Sequence, residues 1–200
     1  MTNKGYQWMG EAVLALNSAV DKSNPKTSIG TKKIEFIMWL WEESAKGRTI
    51  SSNRRILSEK SGLVSGPAAG ISSSETLVYI FKALIDQNII KVNGKEIELI
   101  LSEEIDVKTL WIGKAFYTML VEGKKKAGYQ FGTRKADLIF WMWDNRDNIP
   151  ATGTKIAEAS SFAAEGQSSI TVIKTIYILR EHDLIKKSKD GYVLLTGKTN

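Results

Sequence analysis

Cysteine is absent from this 200-residue chain. That gap removes disulfides, thiolate metal ligands and cysteine nucleophiles together, and it fits a reducing compartment. Histidine occurs once, at His182, which excludes a multi-histidine metal site. The longest apolar runs, such as Phe36 to Trp41, fall far short of the roughly 20 residues that a membrane span needs. The amino terminus lacks the basic-then-apolar layout of a signal peptide. A globular, cytoplasmic protein is therefore expected, with no cofactor and no membrane partner implied. Catalysis is not expected either. No nucleophile stands beside His182 in the sequence, and Glu42-Glu43 and Glu103-Glu104 read as solvated pairs rather than an acid/base dyad. The glycine-rich stretch G-P-A-A-G-I-S (66–72) lacks the lysine of a nucleotide-binding P-loop.

Hydrophobic residues make up 42% of the chain, enough for a real core. The formal charge of +6 permits attraction to a polyanion. Residues 1–102 carry 13 basic and 10 acidic side chains, residues 103–106 add three acids, and residues 107–200 carry 15 basic and 9 acidic. Both halves are positive, the second more so.

Six tryptophans reveal an internal repeat. Displacing the chain by 102 or 103 residues pairs Trp8 with Trp111, Trp39 with Trp141 and Trp41 with Trp143. W-M-G-E-A (8–12) matches W-I-G-K-A (111–115), and G-T-K-K (30–33) matches G-T-R-K (132–135). Farther along, L-S-E-K-S-G-L (57–63) matches I-A-E-A-S-S-F (156–162), and L-I-D-Q-N-I-I-K (84–91) matches L-R-E-H-D-L-I-K (179–186). Two units are expected, 1–102 and 107–200, with the acidic stretch Ser102 to Asp106 between them.

Within a unit, Ile34, Ile37, Met38 and Trp41 recur at helical steps, predicting a helix over 31–46 capped by Thr31, with its twin over 133–147. A short helix follows from Asn53, its twin beginning near Thr154. Ser72 and Glu75 have capping-box spacing ahead of the apolar stripe Leu77, Ile80, Phe81 and Leu84, repeated as Val172, Ile176 and Leu179. Asn93-Gly94 between extended apolar runs predicts a hairpin with both residues at positive φ, and K-S-K-D-G-Y (187–192) occupies the equivalent place in the second unit. Leading helices are expected over 5–20 and 107–122. On its helix Trp41 shares the apolar stripe, whereas Trp39 lies elsewhere and is expected to pack on the leading helix or the other unit.

This order resembles the winged helix-turn-helix fold. The resemblance rests on I-A-E-A-S-S-F preceding S-S-I-T-V-I-K-T-I-Y-I-L-R-E-H-D-L-I-K-K, on L-S-E-K-S-G-L preceding its counterpart, and on the hairpin after each. It covers about 70 residues of each unit; the connection S-G-L-V-S-G-P-A-A-G-I is longer than the tight turn usual in the motif. The fold expected is mainly α with small β-hairpins (α+β), as two winged-helix repeats with an extra helix leading each.

The resemblance implies a double-stranded DNA reader whose third helix enters the major groove. Facing away from the stripe are Glu75, Tyr79, Lys82 and Asp86 in unit one, and Ile170, Lys174, Tyr177 and Glu181 in unit two. Tyr79, Lys82, Lys174 and Tyr177 are thus candidate contacts, able to reach phosphate or base edges. Ser72, Ser73 and Ser74, with Gln167, Ser168 and Ser169, lie where helix starts favour a phosphate, although capping alone accounts for them equally well. Lys91 and Lys95 on the first hairpin, and Lys186, Lys187 and Lys189 on the second, are candidate backbone contacts; lysine also serves simply to protect strand edges. Arg54, Arg55 and Lys155 begin the second helices, and Lys124, Lys125 and Lys126 read as a basic segment able to follow a backbone. Two fused units behave as a dimer that cannot dissociate, resembling tandem regulators, replication initiators or conjugation accessory proteins of plasmids and phages. Other proteins of a nucleoprotein complex fit as further partners. The alternative is a winged-helix adaptor that binds protein and not DNA.

Overall fold

A computed structural model describes residues 1–24, 27–62, 69–125, 131–160 and 169–196, excluding the side chains of 69–75. Its helices are α1 (Asn3–Ser18), α2 (Thr31–Ala45), α3 (Arg54–Ser61), α4 (Ala69–Asp86), α5 (Val107–Lys125), α6 (Thr133–Asp144), α7 (Gly153–Ala159) and α8 (Ser169–Glu181). The strands are β1 (Ile50–Ser51), β2 (Ile90–Asn93), β3 (Glu96–Leu99), β4 (Ile185–Lys187) and β5 (Tyr192–Leu194). The fold is mainly helical with small antiparallel hairpins, as expected. Both halves follow one order: leading helix, long helix, short helix, long helix, hairpin.

Local chemistry explains most boundaries. Thr2 caps α1 through the N–H of Gly5, Asn53 caps α3 through those of Arg55 and Ile56, and Thr152 caps α7 through that of Lys155. α4 and α8 end alike. Asn88 (φ 55°) and Asp183 (φ 53°) take the left-handed conformation. The next N–H donates back to Leu84 O in one case (2.8 Å) and Leu179 O in the other (2.9 Å), a Schellman ending that turns each chain into its hairpin.

Several expectations need correction. Gly30, not Thr31, is the N-cap of α2, and the Thr31 hydroxyl instead donates to Phe131 O at 2.6 Å, across the two halves. α4 begins at Ala69, so Ser72 lies inside the helix and not at its N-cap. The first hairpin turns on Gly94-Lys95, because Asn93 pairs with Glu96; Gly94 has φ 61° while Asn93 remains in the strand. Positive φ at the first central residue alone is the pattern of a type II′ turn, which also matches the strand twist. Beyond the expected hairpin, β1 pairs antiparallel with β3, Ile50 opposite Ile97, making a three-stranded sheet. In the second half a single bridge, Ile149 to Tyr192, stands at the corresponding place beside the two-stranded β4–β5 sheet. Lys124 and Lys125 form the last turn of α5, paired with Glu35 (3.0 Å) and Glu122 (2.7 Å), and do not form a loose basic segment; Lys126 lies outside the described residues.

The core is centred on α1 and α5, which cross at the glycines of the repeated W-x-G-x-A. A Cβ on Gly10 would overlap the carbonyl oxygen of Thr109, and one on Gly113 would overlap that of Tyr6. Each carbonyl belongs to the residue four before the other glycine, so the two contacts are equivalent. Only glycine allows backbones this close. The indoles beside them are buried, Trp8 and Trp111 each at 1% exposure. Covering each removes about 150–250 Å² from water, about 4–6 kcal/mol before entropic cost. Each indole N–H finds an acceptor: Trp8 Nε1 donates to Ile89 O (3.2 Å) and Trp111 Nε1 to Leu184 O (3.0 Å). The same two carbonyls accept the N–H groups of Ile100 and Leu195, so each tryptophan ties its leading helix to the base of its own hairpin.

Trp41 and Trp143 lean on these indoles, with ring centroids 6.0 and 5.8 Å away. Trp41, then, is the side chain that meets the leading helix, close enough that a Cβ on Gly5 would come 2.6 Å from its ring. Trp39 stacks on Phe36 (5.9 Å, 26°) and lies beside β1 and α3 of its own half, a correction to the placement expected for it.

Candidate nucleic-acid interface

The outward faces of α4 and α8 follow from the stripes that they bury. α4 covers Leu77, Ile80, Phe81, Ala83 and Leu84; α8 covers Val172, Thr175, Ile176, Ile178 and Leu179. What remains outside on α4 is Val78, Lys82, Ile85 and Asp86, with Tyr79 half-buried at the edge. On α8 it is Ile170, Ile173, Tyr177, Arg180 and Glu181, with Lys174 half-buried.

The anticipated Tyr/Lys pairs are thus split by exposure, Lys82 and Tyr177 standing out while their partners sit lower. Tyr79 is engaged within its own half: its hydroxyl accepts a hydrogen bond from Asn24 Nδ2 at 3.0 Å. It also lines, with Lys33, Lys82 and Asp21, a cleft of about 380 Å³ between the end of α1 and α4.

Of the remaining candidates, Arg54 and Arg55 stand exposed at the start of α3, the latter paired with Glu59 at 3.0 Å. So exposed a pair, 87% and 63%, adds little stability and leaves the guanidinium easy to redirect. Lys155 is exposed in the first turn of α7. Ser169 opens α8 half-buried, whereas Gln167 and Ser168, and the side chains of Ser72, Ser73 and Ser74, lie outside the described residues.

All five hairpin lysines are exposed, but the two hairpins differ in charge. Lys91 sits opposite Glu98, and Lys95 is next to Glu96, so the first hairpin is nearly neutral. Lys186, Lys187 and Lys189 meet only Asp190 between Ile185 and Leu194. The second hairpin is the cationic one.

Two lysines escaped the sequence reading. Lys33 and Lys135, the last residues of the repeated G-T-[KR]-K, are 6% and 5% exposed. Each ammonium is pushed down to about 8, chiefly by burial, since a charge is poorly solvated there, with the charge of Lys174 contributing at Lys135. The repetition of lysine was the available signal, but burial of a long cationic side chain runs against its usual placement.

The two halves are held in one arrangement by more than the helix crossing. Lys124 of α5 pairs with Glu35 of α2; burial alone would raise that carboxyl, yet hydrogen bonds and charge from Lys124 and Lys32 outweigh it and hold it below its usual value. Gln7 Nε2 donates to Glu104 O at 2.6 Å, and Ser102 Oγ to Glu11 Oε1 at 2.6 Å, fastening the connecting segment to α1. The outward faces of α4 and α8 therefore stand in a fixed relation. Among the described residues no cluster of acids and histidine suits a metal ion, and no helix is long and apolar enough to cross a membrane.

No curated protein and no solved structure matches the chain. A family model does: residues 96–198, from β3 through the second hairpin, match RepL, described as Firmicute plasmid replication protein. That span is just over half of the 200 residues and takes in the second half's helices and its cationic hairpin, so this chain belongs to the RepL family of plasmid replication proteins.

Proposed function

We propose that this protein is a double-stranded DNA-binding replication factor of a mobile element, using two covalently joined winged-helix units as a pseudo-dimer and performing no catalysis of its own. The observation that carries the reading is the pairing of an outward α8 face with a lysine-rich hairpin inside the segment that matches a plasmid replication family. In each half, the short helix, the long helix and the hairpin follow one another as in winged helix-turn-helix readers, and β1 against β3 adds a short third strand beside the turn end of the first hairpin. On this reading α4 and α8 enter the major groove, the hairpins and the starts of α3 and α7 hold phosphates, and α1 with α5 forms the dimer-like seam. Selective recognition of sequence comes from the helices, while affinity comes from the phosphates.

The reading is tested by fluorescence anisotropy of the full chain with a duplex selected from random-sequence DNA. Binding should weaken by orders of magnitude between about 50 and 200 mM salt, because each neutralised phosphate releases counterions. Absence of duplex binding at the lowest salt overturns it. The adaptor reading is favoured by one observation, the exposed Ile170 and Ile173. It expects these side chains to hold a protein partner while DNA is ignored.

A further inference from the structure

Eleven large hydrophobic side chains stand exposed among the described residues, and five of them lie on two helices: Val78 and Ile85 on α4, Ile170, Ile173 and Tyr177 on α8. The α8 group is the denser. Its members occupy positions i, i+3 and i+7 of one face and are 55%, 49% and 45% exposed. Ile173 leans over the start of α7, where a Cβ on Gly153 would come 2.5 Å from its Cγ1. Charged groups around the stripe are mostly cations: Lys174 beside it on α8, Arg180 with Glu181 at its end, and Lys186 and Lys187 on the strand that follows. An apolar stripe within a cationic frame is complementary to a polyanion with apolar groups in its groove.

We infer that α8 reads thymine, packing Ile170, Ile173 and the ring of Tyr177 against C5-methyl groups in the major groove of an A·T-rich half-site. This rests on the DNA-binding reading above and deepens it. The C5-methyl of thymine is the one apolar group that the major groove presents, whereas guanine, cytosine and adenine edges there carry donors and acceptors. Isoleucine can satisfy neither. Seated on a G·C pair, it would strip water from polar edges and return nothing, so the wrong sequence is penalised as well as the right one favoured. The geometry suits a short run of bases. At 1.5 Å per residue the stripe spans about 10 Å, matching roughly three steps of 3.4 Å. In α4 the place equivalent to Tyr177 is held by Lys82 and that of Arg180 by Ile85, so the two units read different half-sites.

The test compares the full chain on three 30-base-pair probes: alternating d(AT), the same duplex with deoxyuridine for every thymidine, and alternating d(GC). Deoxyuridine deletes the methyl and leaves every hydrogen-bonding edge intact. Losing one buried methyl is worth about fourfold in affinity, so two or three contacts should weaken the uridine duplex by roughly fifteenfold to sixtyfold. The double variant Ile170→Ser with Ile173→Ser should bind the thymidine and uridine probes alike while keeping its salt dependence. Both side chains are half exposed, so the variant should melt with the parent, and Ile170→Ser alone should show a partial loss of discrimination. Equal affinity of the parent for thymidine and uridine duplexes overturns the inference and leaves the DNA-binding reading intact. So does discrimination that survives in the double variant, which would assign methyl reading elsewhere. Failure to bind any of the three duplexes at low salt sinks both, and a protein partner lost from the double variant in that setting would give the face to the adaptor reading.

Discussion

Lys33 and Lys135 give the clearest consequences at the scale of single residues. Each is nearly inaccessible and each ammonium is pushed down to about 8, whereas in the unfolded chain it keeps its ordinary value of 10.5. A lysine depressed in this way binds fewer protons folded than unfolded between those two values. Stability should therefore rise as pH increases from about 8 towards 10.5, the burial penalty being fully present below 8 and relieved above it. Denaturant melts of the parent and of Lys33→Met with Lys135→Met should separate the effect. The double variant is expected to match or exceed the parent at pH 7 and to lose the rise, and a parent curve flat over that window would contradict the assignment. Residue by residue, the sequence was a good guide to side chains whose role is local. Asn53 as a cap needed only its neighbours. It misled for Thr31 and Trp39, whose partners depend on the approach of other elements: Thr31 donates to Phe131, a hundred residues away, and Trp39 settles on Phe36.

At the scale of elements, the crossing of α1 and α5 is the most constrained feature. The glycines at its centre leave no room for a methyl, since the atoms in the way are backbone carbonyls that no rotamer change can move. Gly10→Ala should cost about 2–3 kcal/mol in denaturant unfolding, as overpacking does in a rigid core, and Gly113→Ala should cost the same because its contact is equivalent. A cost under about 0.5 kcal/mol for either would mean that the helices do not touch there. The W-x-G-x-A pentads were visible as repeats, but the sequence offered no reason why glycine should sit in the middle of a helix. Only the crossing supplies one. Hairpin placement was legible to within a residue: the Asn93-Gly94 signal marked the turn, while the register was decided by Ile97 needing the buried side of the sheet opposite Val92 and Ile50. The strand β1 went unseen because two residues carry no periodicity.

Across the whole molecule, charge is distributed unevenly between equivalent places. The second hairpin concentrates three lysines against one acid, and the first balances its pair of lysines with Glu96 and Glu98. If both hairpins lie along phosphates, replacing Lys186, Lys187 and Lys189 with Gln should reduce the salt slope of duplex binding by about 2–3, roughly one for each lost contact. The pair Lys91→Gln and Lys95→Gln should change it by about one or less. Equal slopes for both variants would place the phosphate contacts elsewhere. If α4 and α8 both enter DNA, as proposed, the fixed seam between the halves predicts that they act at one spacing.

The sequence by itself determined the inventory: two like-ordered halves, mainly helical, each closing on a hairpin, with an apolar stripe under every long helix. These follow from short-range rules, namely periodicity, capping and turn preference, which act within a few residues of chain. What only the tertiary structure decided was which groups meet: glycine against carbonyl at the seam, lysine in the interior, tryptophan on tryptophan, and Ile173 left facing out on α8 beside Ile170. Those outcomes depend on how large apolar surfaces share space once the elements assemble, and close packing settles them jointly rather than one residue at a time.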